Sequence, residues 1–163
     1  MMCTKENDMA NDVTLRPMTE DDVKQVAALE KECFSDAWSE KLVADLLTSS
    51  YDEAWVLVCP DGEMIGYINI RFLAGEGELM RIAIKPGQRG RGYSRKLMDR
   101  MITSAYETES LELTLEVRAG NIPAIGLYES YGFVKEAVRK GYYHNPTEDA
   151  LIMWLHGLPS IPT

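Results

Sequence analysis

The sequence predicts an α/β (α+β) fold with a central, mixed but mostly antiparallel sheet of about six or seven strands and about four flanking helices. Three observations predict this fold. Residues 54–84 form three strand-length runs separated by the turn signals Pro60-Asp61-Gly62 and Gly75-Glu76-Gly77, as in an antiparallel meander. Residues 111–117 alternate strictly between apolar and polar side chains, as in a strand with one buried face. Residues 93–106 instead place apolar side chains at helical spacing.

The length and composition fit one compact domain. With 163 residues, of which 45% are apolar and 26% charged, the chain can bury a sizeable core. We predict a flexible tail over residues 1–11, a single domain over 12–158 and a second tail over 159–163. No apolar run approaches membrane-spanning length, and the polar, acidic N-terminus resembles neither a signal peptide nor a transit peptide. The prediction is a cytoplasmic protein that does not contact a membrane.

The cysteines and histidines do not indicate a metal site. Cys3, Cys33 and Cys59 are scattered, odd in number and form no Cys-x-x-Cys pair. We therefore expect neither a disulfide framework nor a zinc site, and we expect Cys33 and Cys59 to be buried small hydrophobic residues. The two histidines, His144 and His156, are too few and too far apart in sequence to predict a metal centre.

The charge is unevenly distributed along the chain. The net charge of −9 argues against direct, sequence-independent binding of nucleic acid. Residues 81–100, however, carry seven basic side chains and one acidic one, a local charge of +6, so the rest of the chain carries −15. A basic patch on an acidic protein indicates a small anionic ligand, although a merely solvated helix face is the competing interpretation.

The first third of the chain contains signals for a short strand and two helices. Val13–Arg16 is a strand candidate that ends at Pro17. Thr19 can cap a helix with an acidic first turn and apolar positions that recur to residue 34. Ser39 can cap a second helix, whose apolar stripe spans residues 42–47.

The last third of the chain contains signals for one more helix and two strands. Asn121 can cap a short helix that Gly132 ends. Residues 133–138 and 150–155 are strand candidates, joined by a segment that includes the aromatic loop Gly141-Tyr142-Tyr143-His144. We find no internal repeat and no low-complexity segment in the sequence.

The most informative stretch is the turn of residues 85–95, between an apolar strand run and the helix over 93–106. It contains three glycines and three arginines. Glycine lets the backbone approach a ligand closely, and a helix start offers free N–H groups and the positive end of the helix dipole. The turn therefore favours a phosphate group. A dinucleotide site is disfavoured, because it would need this turn after the first strand. A purely structural turn with solvated arginines is the remaining alternative.

The turn and the segments that follow it resemble one known family. Arg89–Ser94 between a strand and a helix, followed by the run Asn121–Phe133 with its pattern Asn-x-x-Ala…Leu-Tyr-x-x-x-Gly-Phe, is similar to the acetyl-CoA motifs of the GCN5-related N-acetyltransferases. Leu115–Arg118, Tyr142-Tyr143 and Glu148–Met153 resemble the branch of bacterial ribosomal-protein-alanine N-acetyltransferases. The resemblance covers roughly residues 12–156 and implies the GNAT fold and acetyl transfer from acetyl-CoA, without a metal, to an amine.

The resemblance also implies where the acetyl donor binds. The pyrophosphate would lie on the turn before the predicted helix, and the pantetheine arm would pair with a strand backbone whose N–H groups could also stabilise the oxyanion. The implied donor-binding residues are Ile82, Ala83, Ile84, Arg89, Gly90, Arg91, Gly92, Tyr93, Ser94, Arg95 and Asn121.

Two residues match the catalytic pair of the branch. Glu116 would act as general base, through a water molecule, because an ammonium group must lose a proton before it can attack. Tyr128 would act as general acid toward the leaving thiolate. Without the resemblance, Glu116 would be interpreted as an exposed strand residue and Tyr128 as a core aromatic residue.

The acceptor is less well determined by the sequence than the donor. The resemblance implies a peptide N-terminus, possibly that of a ribosomal protein, bound by Phe34, Trp38, Tyr142 and Tyr143. A lysine side chain, a polyamine or an antibiotic is an alternative acceptor, and a non-catalytic acyl-CoA-binding regulator is an alternative class. Two departures from the family pattern, Ser94 and Ala37, bear on substrate choice. The sequence leaves open whether the protein is a monomer or a weak dimer.

Overall fold

The computed structural model describes residues 12–160. The predicted tail over residues 1–11, the last three residues of the second predicted tail and Cys3 lie outside this range. The described part contains seven strands and four α-helices. The strands are β1 (Thr14–Pro17), β2 (Asp52–Val58), β3 (Met64–Leu73), β4 (Glu76–Ile84), β5 (Glu112–Arg118), β6 (Val134–Tyr143) and β7 (Glu148–His156). The helices are α1 (Val23–Cys33), α2 (Glu40–Asp45), α3 (Tyr93–Glu107) and α4 (Ile122–Ser130).

The seven strands form one mixed sheet in the order β1-β2-β3-β4-β5-β7-β6. The pairs β1–β2, β5–β7 and β6–β7 are antiparallel, whereas β4 and β5 are parallel. The turns after β2 and β3 are too short for a parallel crossover, so β2, β3 and β4 form the expected antiparallel meander. The parallel pairing of β4 with β5 covers Glu76–Leu79 against Glu112–Leu115. The predicted fold class is confirmed.

The chain divides into two compact units, one with residues up to Ile70 and Met80–Arg100, the other with Arg71–Leu79 and the remainder. In the first unit, the apolar stripes of α1 and α2 pack on the sheet. Asp22 fixes the start of α1, because it accepts hydrogen bonds from Arg16 (2.7 and 2.9 Å) and from the Thr19 backbone N–H (2.8 Å). The buried core residues here are Met18, Val26, Ala27, Leu29, Val43, Val56, Met64, Tyr67 and Ala83.

The second unit confirms the clearest strand prediction. Along β5, Leu113, Leu115 and Val117 are buried, and the polar residues between them are half-buried. Asn121 caps α4, as predicted, by accepting a hydrogen bond from the Ala124 N–H at 3.3 Å. Gly132 follows α4 with a φ of +98°, which favours glycine at this helix end.

The prediction of an aromatic loop at residues 141–144 is wrong for the first three of these four residues. Strand β6 continues through Tyr143, so Tyr142 and Tyr143 belong to the sheet. Gly141 has a φ of +60°, and the register between β6 and β7 is irregular between Arg139 and Tyr143, so the strand continues past the glycine. Tyrosine side chains also favour strands. The predicted base Glu116 and the two predicted acceptor-binding tyrosines therefore all lie on paired strands.

The cysteines differ in part from the expectation. Cys59 is buried, with 3% of its surface exposed, as predicted. Cys59 is also disulfide-bonded, whereas we expected no disulfide framework. The sequence could not indicate this bond, because three scattered cysteines do not reveal whether any two of them pair. Cys33 is a free thiol of intermediate exposure.

Residues 12–160 contain neither a membrane-spanning helix nor a metal-binding cluster of side chains. No helix in this range is long and apolar enough to cross a membrane. In the same range, no group of three or more His, Cys, Asp or Glu side chains is arranged to hold a metal ion.

His156 links three strands of the second unit and makes the stability depend on pH. Its imidazole contacts Glu112 on β5 and Glu136 on β6, and these hydrogen bonds raise the pKa of His156. A raised folded-state pKa gives stability that is complete below the ordinary histidine value and is lost as pH rises through the folded value. We expect His156→Gln to lower the Tm by about 2 °C at pH 6 and by much less at pH 9.

Thermal unfolding of His156→Gln at the two pH values checks this, with His144→Gln as the control for loss of an exposed imidazole. An equal loss of Tm at pH 6 and pH 9 would mean that the charge on His156 contributes nothing.

Candidate active site

The glycine turn has the geometry of an anion-binding turn at a helix start. A single 3-10 turn, Pro86–Gln88, leads from β4 toward α3. Gly90 and Gly92 have φ values of +79° and +83°, which favour glycine over residues with a side chain. A Cβ built on Gly87, Gly90 or Gly92 would meet no atom within 4 Å, so the space beside the turn is open. The space lies at the N-terminus of the fifteen-residue helix α3, where we expect an anionic group to bind.

The arginines of the turn also hold it together. Arg89 donates from Nε to the Ile84 carbonyl at 3.0 Å and from Nη2 to the Cys33 sulfur at 3.4 Å. Arg91 donates to the Gln88 side chain at 2.9 Å. Arg89 therefore closes the turn against the end of β4, a role that the sequence did not indicate.

The remaining predicted donor residues of the turn lie at the beginning of α3. Tyr93 is only 2% exposed, as its place on the apolar face of the helix predicts. Ser94 is half-buried, and the Arg95 N–H donates to the Gly92 carbonyl at 3.2 Å. The binding of a cofactor by these residues stays a prediction.

The end of β4 is tightly packed on its neighbouring strand. The pairing of β4 with β5 ends at Leu79, and Ile82, Ala83 and Ile84 lie beyond that point. A Cβ on Gly66 would lie 2.7 Å from the Ile84 side chain and 2.9 Å from the Ala83 carbonyl oxygen. Glycine at 66 thus lets β3 support the backbone that we expect to pair with the pantetheine arm.

In the second unit, Glu116 is surrounded by side chains that the sequence did not connect to it. The hydroxyl of Tyr142 is hydrogen-bonded to the Glu116 carboxylate, and this bond is the main cause of a raised pKa of Tyr142. Arg139 Nη1 lies 3.6 Å from Glu116 Oε1, and the Cζ atom of the same guanidinium lies 5.3 Å from the Tyr142 ring centroid. The predicted base and one predicted acceptor-binding tyrosine are therefore in contact.

A second carboxylate belongs to the same cluster. Burial and, next, the charge of Glu116 raise the pKa of Glu78, which lies on β4. Arg71 and Arg139 oppose this shift. The cluster thus combines two acids, and the ionised form of Glu78 is disfavoured while Glu116 is ionised.

Tyr128 is buried on α4, with 5% of its surface exposed. Its ring packs against Phe133 with centroids 6.1 Å apart. Burial, and to a lesser degree Tyr143, raises the pKa of Tyr128, so the phenol keeps its proton throughout the neutral range. A protonated phenol is the state that a general acid needs.

The second tyrosine of the pair is held by a cation. Tyr143 packs edge-to-face on Tyr142 with centroids 5.1 Å apart, and the Arg118 guanidinium lies 4.4 Å from the Tyr143 centroid. Arg118 also donates to the carbonyls of His144 and Pro146, each at 3.1 Å. These bonds fix the loop between β6 and β7 beside the tyrosine pair.

The other two predicted acceptor-binding residues lie in the first unit. Phe34 and Trp38 follow α1 and pack against the buried core. The guanidinium of Arg81 lies 4.2 Å from the Phe34 centroid and 4.5 Å from the Trp38 centroid. Both rings are thus brought together around one cation, which the sequence did not predict.

Comparison with known proteins assigns the family. The model of the Acetyltransferase (GNAT) family matches residues 23–133, more than half of the chain. The chain belongs to the GNAT family. It is therefore an acetyl-CoA-dependent N-acetyltransferase, and the predicted family and enzyme class are confirmed.

This GNAT protein is similar in sequence to two curated relatives and in structure to one solved protein. A Bacillus subtilis protein, provisionally named ribosomal protein bS18-alanine N-acetyltransferase, is 32% identical over 148 residues, covering 90% of this chain and 97% of the relative. The Escherichia coli K12 ribosomal protein bS18-alanine N-acetyltransferase is 32% identical over 148 residues, with 87% and 96% covered. The crystal structure of the Escherichia coli ribosomal-protein-S18-alanine N-acetyltransferase has a TM-score of 0.82 at 29% identity, with 91% and 96% covered.

The site contains charged residues that sequence reasoning missed in this GNAT protein. Arg81 and Glu30 occupy positions that are otherwise apolar, one in the strand run of β4 and the other in the stripe of α1. A charged residue at a core position is a usable signal, because such a residue is buried only when it is paired. Arg139 and Glu78 gave no such signal, since both lie at polar positions of their strands.

Proposed function

We propose that this GNAT enzyme acetylates the α-amino group of a protein N-terminus, with the N-terminal alanine of a ribosomal protein as the first candidate acceptor. The observation that carries the acceptor class is the similarity, over nearly the whole chain, to relatives named for acetylating the alanine of ribosomal protein bS18. The hydrogen-bonded Glu116–Tyr142 pair supplies the local chemistry.

In this proposal, Glu116 removes a proton from the acceptor through a water molecule. An α-amino group has a pKa of about 8, against about 10.4 for lysine, so it needs less help from a base at neutral pH. One carboxylate acting through water suits an α-amine better than a lysine side chain. Tyr142 orients that carboxylate, and Tyr143 lines the place of the first residue of the peptide.

The donor side of the proposal uses the turn and β4. Backbone N–H groups at the start of α3 bind the pyrophosphate of acetyl-CoA, with Gly90 and Gly92 allowing close approach. The main chain of Ile82–Ile84 pairs with the pantetheine arm, and a backbone N–H there stabilises the oxyanion. Asn121 contacts the same arm. Acetyl-CoA supplies the acetyl thioester, and Tyr128 protonates the departing thiolate.

A single assay tests the acceptor class. Thiol release from acetyl-CoA is measured with peptides that differ only in their first residue, with the same peptides blocked at the N-terminus but containing lysine, and with small amines including spermidine. We expect release with free N-termini, and the highest kcat/KM with alanine first, by at least about 10-fold over blocked lysine peptides.

Mass spectrometry of the products identifies the acetylated nitrogen. Transfer to blocked lysine peptides or to spermidine, without transfer to free N-termini, would overturn the proposal. Transfer to free N-termini with another residue preferred over alanine would retain the acceptor class and exclude the alanine assignment.

A further inference from the structure

The first unit contains a fully buried carboxylate that the proposed reaction does not use. Glu30, on α1, has 0% of its side chain exposed. It accepts hydrogen bonds from the Tyr67 hydroxyl and from the Trp38 backbone N–H, the latter at 2.9 Å. Burial, followed by the charge of Glu30, raises the pKa of Tyr67, so the tyrosine acts as a neutral donor.

The cation that neutralises Glu30 is Arg81. Its Nη2 lies 3.1 Å from Glu30 Oε1, and only 12% of the arginine side chain is exposed. A buried charge without a partner is strongly unfavourable, so the two side chains depend on each other for burial. Arg81 also directly precedes Ile82, the first of the three residues expected to pair with the donor.

The same guanidinium holds the segment between α1 and α2, residues 34–39, here called the acceptor loop. Its Nη2 donates to the Asp36 carbonyl at 2.9 Å, and its Nη1 lies 3.6 Å from the Asp36 carboxylate. The rings of Phe34 and Trp38 lie 4.2 and 4.5 Å from it. Because Glu30 binds the Trp38 N–H, the ion pair and the loop form one connected unit.

We infer that Arg81 is the positioning residue of the acceptor loop and thereby a determinant of acceptor affinity, an inference that rests on the proposed function. Arg81 lies on β4, the strand that we expect to bind the donor. Its guanidinium contacts Phe34 and Trp38, the two aromatic residues expected to bind the acceptor, through cation–π interactions. The loop is therefore located relative to β4 by a side chain and not by backbone pairing alone.

Two details favour a positioning role over simple stabilisation. The contact of Arg81 with the Phe34 and Trp38 rings requires a planar cation, because it uses the flat faces of the guanidinium, which lysine does not have. The guanidinium also donates to the Asp36 carbonyl at 2.9 Å, so it holds the backbone of the acceptor loop and not only its side chains.

The test compares Arg81→Lys with the wild-type enzyme. Lysine keeps a positive charge for Glu30, which protects the fold, but it removes the stacking and the hydrogen bond to the Asp36 carbonyl. We expect the KM for the acceptor peptide to rise about 10-fold, while the Kd for CoA from calorimetry changes less than about 2-fold. Hydrogen exchange should become faster within residues 34–39, including the Trp38 amide, and remain unchanged in β5.

Asp36→Asn is a second variant that leaves the buried ion pair intact, and Asp45→Asn is its matched control. Asp36 and Asp45 are both exposed, and each contacts one cation, Arg81 or Lys41. Asp36→Asn should raise the acceptor KM by about 2–3-fold. Asp45→Asn should leave both substrates' KM values unchanged.

The outcomes separate this inference from the proposed function. A folded Arg81→Lys enzyme with wild-type acceptor KM, or with unchanged exchange in residues 34–39, overturns the inference. So does a rise in the KM for acetyl-CoA with an unchanged KM for the acceptor. If the proposed function is wrong, the wild-type enzyme transfers no acetyl group to any free N-terminus. Hydrogen exchange in residues 34–39 of Arg81→Lys then still decides whether Arg81 holds the acceptor loop.

Discussion

Replacing Tyr128 with phenylalanine is expected to lower kcat about 100-fold while changing the affinity for acetyl-CoA less than about 2-fold. The hydroxyl is the only atom lost, so the packing of the ring against Phe133 is retained. Burial raises the pKa of Tyr128, so the wild-type phenol carries at neutral pH the proton that the proposed acid step requires. Steady-state kinetics with acetyl-CoA and calorimetry with CoA measure the two quantities.

Tyr106→Phe is the matched control for this variant. The Tyr106 hydroxyl, near the C-terminal end of α3, donates to the carbonyls of Leu158 and Pro159, so the control loses a phenol hydroxyl that has no proposed catalytic role. We expect its kcat to remain within about 2-fold of wild type. Weaker CoA binding by Tyr128→Phe with an unchanged kcat would assign Tyr128 to donor binding and remove it as the acid.

The parts of the fold that the sequence predicted are those set by local chemistry. The alternation of β5, the capping of α4 by Asn121 and the glycine turn each depend on a few consecutive residues. Periodicity and caps are sufficient for such elements. The conformation of the turn before α3 was predictable for the same reason, because its glycines are nearly contiguous, whereas its binding of the donor stays a prediction.

The surroundings of Glu116 were not predictable, and the reason lies in the register of β6. Arg139 and Tyr142 are three residues apart, so in a regular strand they would point to opposite faces. The pairing of β6 with β7 shifts between Arg139 and Tyr143, and both side chains reach Glu116. A bulge of this kind has no signature in single-sequence alternation, which instead suggested a loop at residues 141–144.

Arg81 illustrates a second limit of sequence reasoning. Its partners are Glu30 and the acceptor loop, which lie about fifty residues earlier in the chain. The sequence indicated a charged residue inside an apolar run but gave no means to choose among the 26 acidic residues as its partner. Tertiary packing makes that choice, because it brings Glu30, on the buried face of α1, within 3.1 Å of the Arg81 guanidinium.

Replacing Gly92 with valine is expected to raise the Kd for acetyl-CoA at least about 10-fold. Gly92 has a φ of +83°, where a left-handed backbone costs a residue with a side chain about 1–2 kcal/mol and a β-branched residue more. The valine side chain would also occupy the open space next to the turn, where the backbone is expected to meet the pyrophosphate. Calorimetry with CoA, together with thermal unfolding to verify the fold, measures the effect.

Gly87→Val provides the matched control for this variant, because it isolates the consequence of the backbone angle. Gly87 lies in the same turn and also has no atom within 4 Å of a built Cβ, but its φ is not positive. The control should bind CoA within about 3-fold of wild type, since Gly87 lies outside the residues predicted to bind the donor and its substitution adds the same bulk without the left-handed strain. If folded Gly92→Val binds CoA as tightly as Gly87→Val does, the pyrophosphate does not lie on the backbone at Gly92. The pyrophosphate would then have to be bound by basic side chains and not by the backbone of the turn. The predicted contact of the pyrophosphate with the Gly90 backbone would be contradicted as well.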